Sequence, residues 1–143
     1  MVRYEASATI EAPVESVWRR LADVVRWSQW TPTVAQVDAL DRPELALGHR
    51  YRVRQPKLRP TVWTVTLLEA PLSFTWETRF PGVRMVADHI LERRPSGETA
   101  LTLRFSFDGW LGPLVGRLYR KLVRSYLATE AACLRTVVEK SLP

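Results

Sequence analysis

The chain has 143 residues, close to half of them apolar and a quarter charged, with 21 Lys and Arg against 15 Asp and Glu. That balance excludes a disordered or fibrous polypeptide, and the length suits one domain burying about 70% of its unfolded surface. The lone Cys133 excludes an internal disulfide and a cysteine-rich zinc site.

Met1 to Ala8 carries Arg3 and Glu5 without an apolar run, so no signal peptide is expected. No apolar stretch approaches the ~20 residues of a membrane span. The expectation is a cytoplasmic protein without integral membrane association. The net charge of +6 raises nucleic acid or an anionic membrane as partners. The excess is arginine scattered over strands and one helix face, so nucleic acid is not expected.

In chain order, Tyr4 to Glu11 alternates, with Tyr4, Ala6, Ala8 and Ile10 on one side, and reads as a strand. Ala12-Pro13 ends it, and Pro13 suits the first turn of a helix. Val14, Val17, Trp18 and Leu21 recur at helical spacing, so 13–22 is a short amphipathic helix. Asp23 to Trp30 continues as a turn or second short helix, with Trp27 and Trp30 on one side. Strands follow at Val34–Leu40 and Tyr51–Arg54, then a polar loop at Gln55–Pro60. Thr61–Glu69, Ser73–Phe80, Val83–Arg93 and Thr99–Asp108 complete the series, separated by Pro- and Gly-bearing turns. Glu77 and Arg79 fall on the predicted outer face as a charge pair.

Gly112 to Lys140 reads as one long amphipathic helix, roughly 40 Å. Val115, Leu118, Tyr119, Leu122, Val123, Tyr126, Cys133 and Val137 share its apolar arc. Arg117, Arg120, Lys121, Arg124, Arg135 and Glu139 lie opposite. Glu130 alone puts a charge near the middle of the apolar arc. The whole, residues 1–143, reads as one α+β domain: a strand, two short helices, six antiparallel strands and a C-terminal helix.

The strand faces nominate a lining. Tyr51, Trp63, Phe74, Trp76, Met85, His89, Phe105 and Phe107 face the helix, which presents Tyr119, Leu122, Val123 and Tyr126; Trp30 joins them from the second short helix. An apolar, aromatic concavity with a few polar tips is what small-molecule sites look like, and a filled aromatic core is the alternative. His89 interrupts an apolar face with a group that titrates near neutral pH. Glu130 on a buried face must be paired or hold its proton. Placed side by side, the two would form an acid–base pair for proton removal next to a ketone; placed apart, each is a structural tie. The tyrosine hydroxyls either orient a ligand oxygen or sit at the rim. No glycine-rich phosphate loop is present, and His49 and His89 lack metal-ligand spacing, so neither metal nor cofactor is expected. Cys133 reads as a small core residue.

The segments Ile10-Glu11-Ala12-Pro13-Val14-Glu15-Ser16-Val17-Trp18, Trp27-Ser28-Gln29-Trp30-Thr31-Pro32 and Phe74-Thr75-Trp76 resemble the START-like helix-grip superfamily. The bacterial polyketide cyclase/dehydrase-like and lipid-transport-like members are the most similar in kind. His89 ahead of the Ser96-Gly97-Glu98-Thr99 hairpin, and Tyr126 ahead of Glu130, fit the same pattern across the whole chain. The resemblance implies a curved seven-stranded antiparallel sheet gripping the terminal helix, with an apolar pocket between. That superfamily includes lipid carriers, receptors, aromatic polyketide cyclases and chaperone cofactors, so fold does not choose among them. Three functions are open: a carrier or receptor for a small hydrophobic molecule, an aromatase/cyclase-type enzyme using His89, Glu130 or a tyrosine, and a protein- or membrane-interaction module using Arg117 to Arg124.

Overall fold

Tyr4, Ala6, Ala8 and Ile10 share the inward face of β1 (Val2–Ile10), where the sheet begins. The computed structural model describes residues 1–141; Leu142 and Pro143, the end of the expected domain, lie outside the described residues. After β1 the chain turns into α1 (Val14–Ala22), with Pro13 at the N-cap and Val14, Val17 and Leu21 buried at helical spacing. A 3₁₀ segment, Val24–Gln29, buries Val24 and Trp27.

The other six strands are β2 (Gln36–Ala39), β3 (Arg50–Arg54), β4 (Thr61–Glu69), β5 (Ser73–Phe80), β6 (Val83–Arg93) and β7 (Thr99–Asp108). They form one antiparallel sheet with β1, in the order β1-β7-β6-β5-β4-β3-β2. The predicted α+β architecture is the one the chain adopts. Between Val65 and Leu67 the β4–β5 register shifts, leaving Thr66 as an extra residue. Such a bulge bends and twists its strand, which favours a curled sheet.

The C-terminal segment differs from expectation. The predicted single helix is two: α2 (Gly112–Leu118) and α3 (Arg120–Ser141). Between them Tyr119 sits at φ −96°, ψ 8°. The cause lies in how α2 docks. A continuous helix would offer the Gly116 carbonyl to the Arg120 N–H, but the Tyr4 hydroxyl donates to that carbonyl at 2.9 Å. A Cβ at Gly112 would stand 2.7 Å from the Phe107 carbonyl oxygen, and one at Gly116 would stand 3.0 Å from Val2. These glycines let α2 pack closely against the end of β1 and β7.

The packing face of α3 also differs. Its buried stripe is Val123, Leu127, Ala131, Leu134 and Val138, about one residue (~100°) round from the predicted arc. Leu118 and Tyr119 are exposed, and Cys133 and Val137 are only half-buried. The predicted arc followed the bulkiest side chains. The helix instead lies chiefly along β1, where Ala6 and Ala8 permit close approach. Its far end is held by Glu139, which accepts the Glu11 N–H at 2.9 Å.

On the outer face, Glu77 pairs with Arg84 at 2.8 Å rather than with Arg79, and Arg84 also reaches Asp108 at 3.3 Å. Register explains the change: Arg79 stands opposite Arg84, a like charge, and Arg84 takes both carboxylates.

Candidate functional site

Because α3 rests on β1, the concave face of the central strands is left uncovered. A cavity of ≈ 740 Å³ lies between them, within the range of small-molecule sites. Its floor is Trp63 of β4, Trp76 of β5, Met85, Ala87 and His89 of β6, and Phe105 of β7. α3 supplies Leu122, Val123, Tyr126, Leu127 and Glu130, and Trp27 and Trp30 close one end. The exposed lining residues are Lys57, Arg59 and Pro60 of the β3–β4 loop, Phe80 and Pro81, and Tyr119. They mark the mouth.

The aromatic walls brace one another. Trp27 meets Trp30 at 5.9 Å, Trp76 at 5.2 Å and His89 at 5.5 Å between ring centroids. Trp63 stacks on Trp76 at 6.0 Å. The Trp27 Nε1–H donates to the Leu21 carbonyl at 3.0 Å, fixing that ring from behind. Edge-on and tilted contacts of this kind add to the stabilisation from area burial alone, so the walls are stiff.

Among the polar groups of the lining, four are set by their surroundings. His89 stacks on Phe74 at 4.1 Å with its Nδ1 3.2 Å from the Phe74 carbonyl oxygen. A carbonyl only accepts, so Nδ1 carries the proton and Nε2 is left as an acceptor. Burial pushes the imidazole down to about 4, against the opposing bond to Phe74, so it is neutral at pH 7. Glu130 moves the other way: burial pushes its carboxyl up to about 7, with the Thr33 hydroxyl partly offsetting this. The Trp30 Nε1–H is buried without a hydrogen-bond partner among the described residues, leaving an unsatisfied donor in the wall. The Tyr126 hydroxyl donates to the Pro56 carbonyl and so ties α3 to the β3–β4 loop at the mouth.

Of the residues expected to line a ligand site, Trp30, Trp63, Trp76 and Met85 do line the cavity. So do His89, Phe105, Tyr119, Val123 and Tyr126. Tyr51 and Phe74 do not. Tyr51 is fully buried, its hydroxyl donates to the Glu44 carbonyl at 2.7 Å, and burial pushes it up to about 12. Phe74 is fully buried behind Trp18, Trp27 and His89. Both are on the inward face but too deep to reach the space. His89 and Glu130 share the cavity, yet no hydrogen bond or ion pair joins them among the described residues, so they are separate groups rather than a dyad. Trp27 and Leu127 line the space as well, beyond the residues expected from strand and helix faces. Trp27 was findable from its three-residue spacing to Trp30. The loop residues Lys57, Leu58 and Arg59 also line the space; a polar loop carries no periodicity that would show it.

A sheet curled round a terminal helix with a cavity between them defines a START-like helix-grip protein. The family model described as polyketide cyclase / dehydrase and lipid transport matches residues 1–139, and the chain belongs to that family. Among solved structures, a protein from Thermus thermophilus superposes with a TM-score of 0.77 at 16% identity, covering 99% of this chain and 100% of that one. The Zhui aromatase/cyclase from a Streptomyces species gives 0.73 at 18%, covering 97% and 94%. A START superfamily protein from Mycobacterium smegmatis gives 0.73 at 14%, covering 98% and 99%. At such identities the likeness is one of fold. No curated protein matches the chain. Among the described residues, no helix is long and apolar enough to cross a membrane.

Proposed function

We propose that the protein binds a small hydrophobic or aromatic molecule in this cavity, as a cytoplasmic carrier or receptor. The supporting observation is the cavity itself: ≈ 740 Å³ walled by braced aromatic rings. Protein interiors otherwise pack to crystal density with few voids larger than a water molecule. The lining is mostly apolar, and the polar groups within it offer a guest hydrogen-bond partners. Native mass spectrometry of freshly purified protein tests the reading, alongside a thermal-shift panel of aromatic and aliphatic compounds. A retained small molecule, or a raised midpoint with members of the panel, is the expected result. An empty protein that no apolar compound stabilises would refute it.

One observation favours a second reading, an aromatase/cyclase-type enzyme. The Glu130 carboxyl is held near 7, where a general base works best at neutral pH. Its ionised form would take a proton from the carbon next to a ketone of a bound poly-ketone chain. His89 Nε2 would accept a hydrogen bond from the same chain. Under this reading Glu130→Gln loses turnover of such a chain while still binding it; under the carrier reading there is no turnover to lose.

A further inference from the structure

The short helix α2 turns only Val115 of its large apolar side chains toward the core. Its small residues, Gly112 and Gly116, face the protein and are buried, while Leu114 and Leu118 face solvent at 60% and 77% exposure. A surface helix of a soluble domain normally turns its large apolar side chains inward. Trp110, just ahead of it, is 81% exposed. A Cβ at Gly82 would meet the Trp110 ring at 3.1 Å and Leu111 at 2.8 Å, so Trp110 abuts the β5–β6 turn beside Phe80, itself exposed. Trp110, Leu114, Leu118, Tyr119 and Phe80 thus form an apolar patch on the protein surface, and patches of this kind mark interaction sites.

The charge around it has one sign. From Gly109 to Thr129 there are four basic residues, Arg117, Arg120, Lys121 and Arg124, and no acid. All four are exposed, and none joins an ion pair among the described residues. Lys57 and Arg59 add two more cations on the facing side of the cavity mouth. The nearest acids in the flanking strands, Glu77 and Asp108, are both engaged by Arg84. Exposed tryptophan and leucine ringed by unpaired cations fit the headgroup boundary of a negatively charged bilayer. A second copy of the chain fits badly, because a two-fold contact would set the cations against themselves.

We propose that α2 and the adjoining rim dock the protein on an anionic lipid bilayer, with Trp110, Leu114 and Leu118 entering the interface and Arg117, Arg120 and Lys121 meeting lipid headgroups. The docked face includes Phe80 and Tyr119, which also line the cavity mouth, so the mouth would open toward the membrane. The surface stands whatever the cavity holds.

Vesicle co-flotation of the full chain tests it, using phosphatidylcholine with and without phosphatidylglycerol. Binding is expected on the anionic vesicles only, present at about 50 mM salt and lost by about 500 mM, where screening shortens to a few ångströms. Arg117→Glu with Lys121→Glu should weaken it by at least about fivefold per charge changed. Trp110→Ser with Leu118→Ser should abolish stable binding while leaving the charge intact. Both pairs are solvent-exposed, and an unchanged melting midpoint with unchanged uptake of an apolar dye by the cavity will show that fold and pocket survive. No flotation at low salt, equal flotation on neutral vesicles, or indifference to both double variants would overturn the proposal. A dimer in light scattering that Trp110→Ser with Leu118→Ser converts to monomer would overturn it too, assigning the face to self-association.

Discussion

Glu130 and His89 are pushed in opposite directions by the same dry surroundings, and that opposition can be measured. For Glu130 the folded value is about 7 against an ordinary 4.5. The unfolded chain therefore releases this proton first, and stability is lost as pH rises from 4.5 through 7, by at most about 3 kcal/mol. For His89 the folded value is about 4 against 6.5. Here the unfolded chain takes up the proton first, and stability is lost as pH falls from 6.5 through 4, by a similar amount at most. Over the shared window the two slopes largely cancel. Glu130→Gln should gain stability relative to the parent protein between pH 4.5 and 7.5; the difference between His89→Gln and the parent should shift in the variant's favour as pH falls from 6.5 toward 4. Urea midpoints across pH read both. Flat difference curves would show that neither group is desolvated. Glu130 was legible in the sequence as the single charge within an apolar arc. The depth of Tyr51 and Phe74 was not, because alternation tells which face of a sheet a residue takes and not how far it stands from the opposing layer.

The helix pair is set by contacts remote in sequence. Tyr4 engages Gly116 across 112 positions, and no local pattern in 112–140 announces the break at Tyr119. The strands from Thr61 to Asp108, by contrast, carry their period in their own residues and were read directly. Replacing Gly112 by Ala ought to help by up to about 1 kcal/mol on helix propensity alone. The new Cβ would instead meet the Phe107 backbone carbonyl at 2.7 Å, so Gly112→Ala should destabilise by about 1–3 kcal/mol. Gly116→Ala meets side-chain atoms of Val2 and Phe107 at 3.0–3.1 Å rather than a backbone carbonyl at 2.7 Å and should cost less. Denaturant titrations of the two variants give the order, and the reverse order would contradict the close docking of α2. At the mouth, Tyr126→Phe removes the tie to Pro56. Stopped-flow release of a cavity-bound dye should quicken by about three- to tenfold, the value of one hydrogen bond. An unchanged rate would mean the loop is held by its own turn instead.

Across the whole molecule, the deciding question is whether the interior is hollow, and one substitution turns it into a sign. Ala87 is buried on the cavity floor, between its cross-strand neighbours Trp76 and Phe105. In an unfilled space Ala87→Leu adds buried methylenes and should stabilise the empty protein by about 1 kcal/mol or more. In a filled core the same change overpacks and costs about 1–3 kcal/mol. The stabilised variant should also take up dye less readily. A drop in melting midpoint would remove the ground for the carrier and enzyme readings together.

The seating of α3 along β1, secured at its far end by Glu139, separates two duties that many domains combine. The strand that carries most of the helix, β1, is not among the strands that floor the chamber, and only β7 takes part in both. Exchanges at Trp63 or Met85, on β4 and β6, therefore recut the mould while the mooring stays whole.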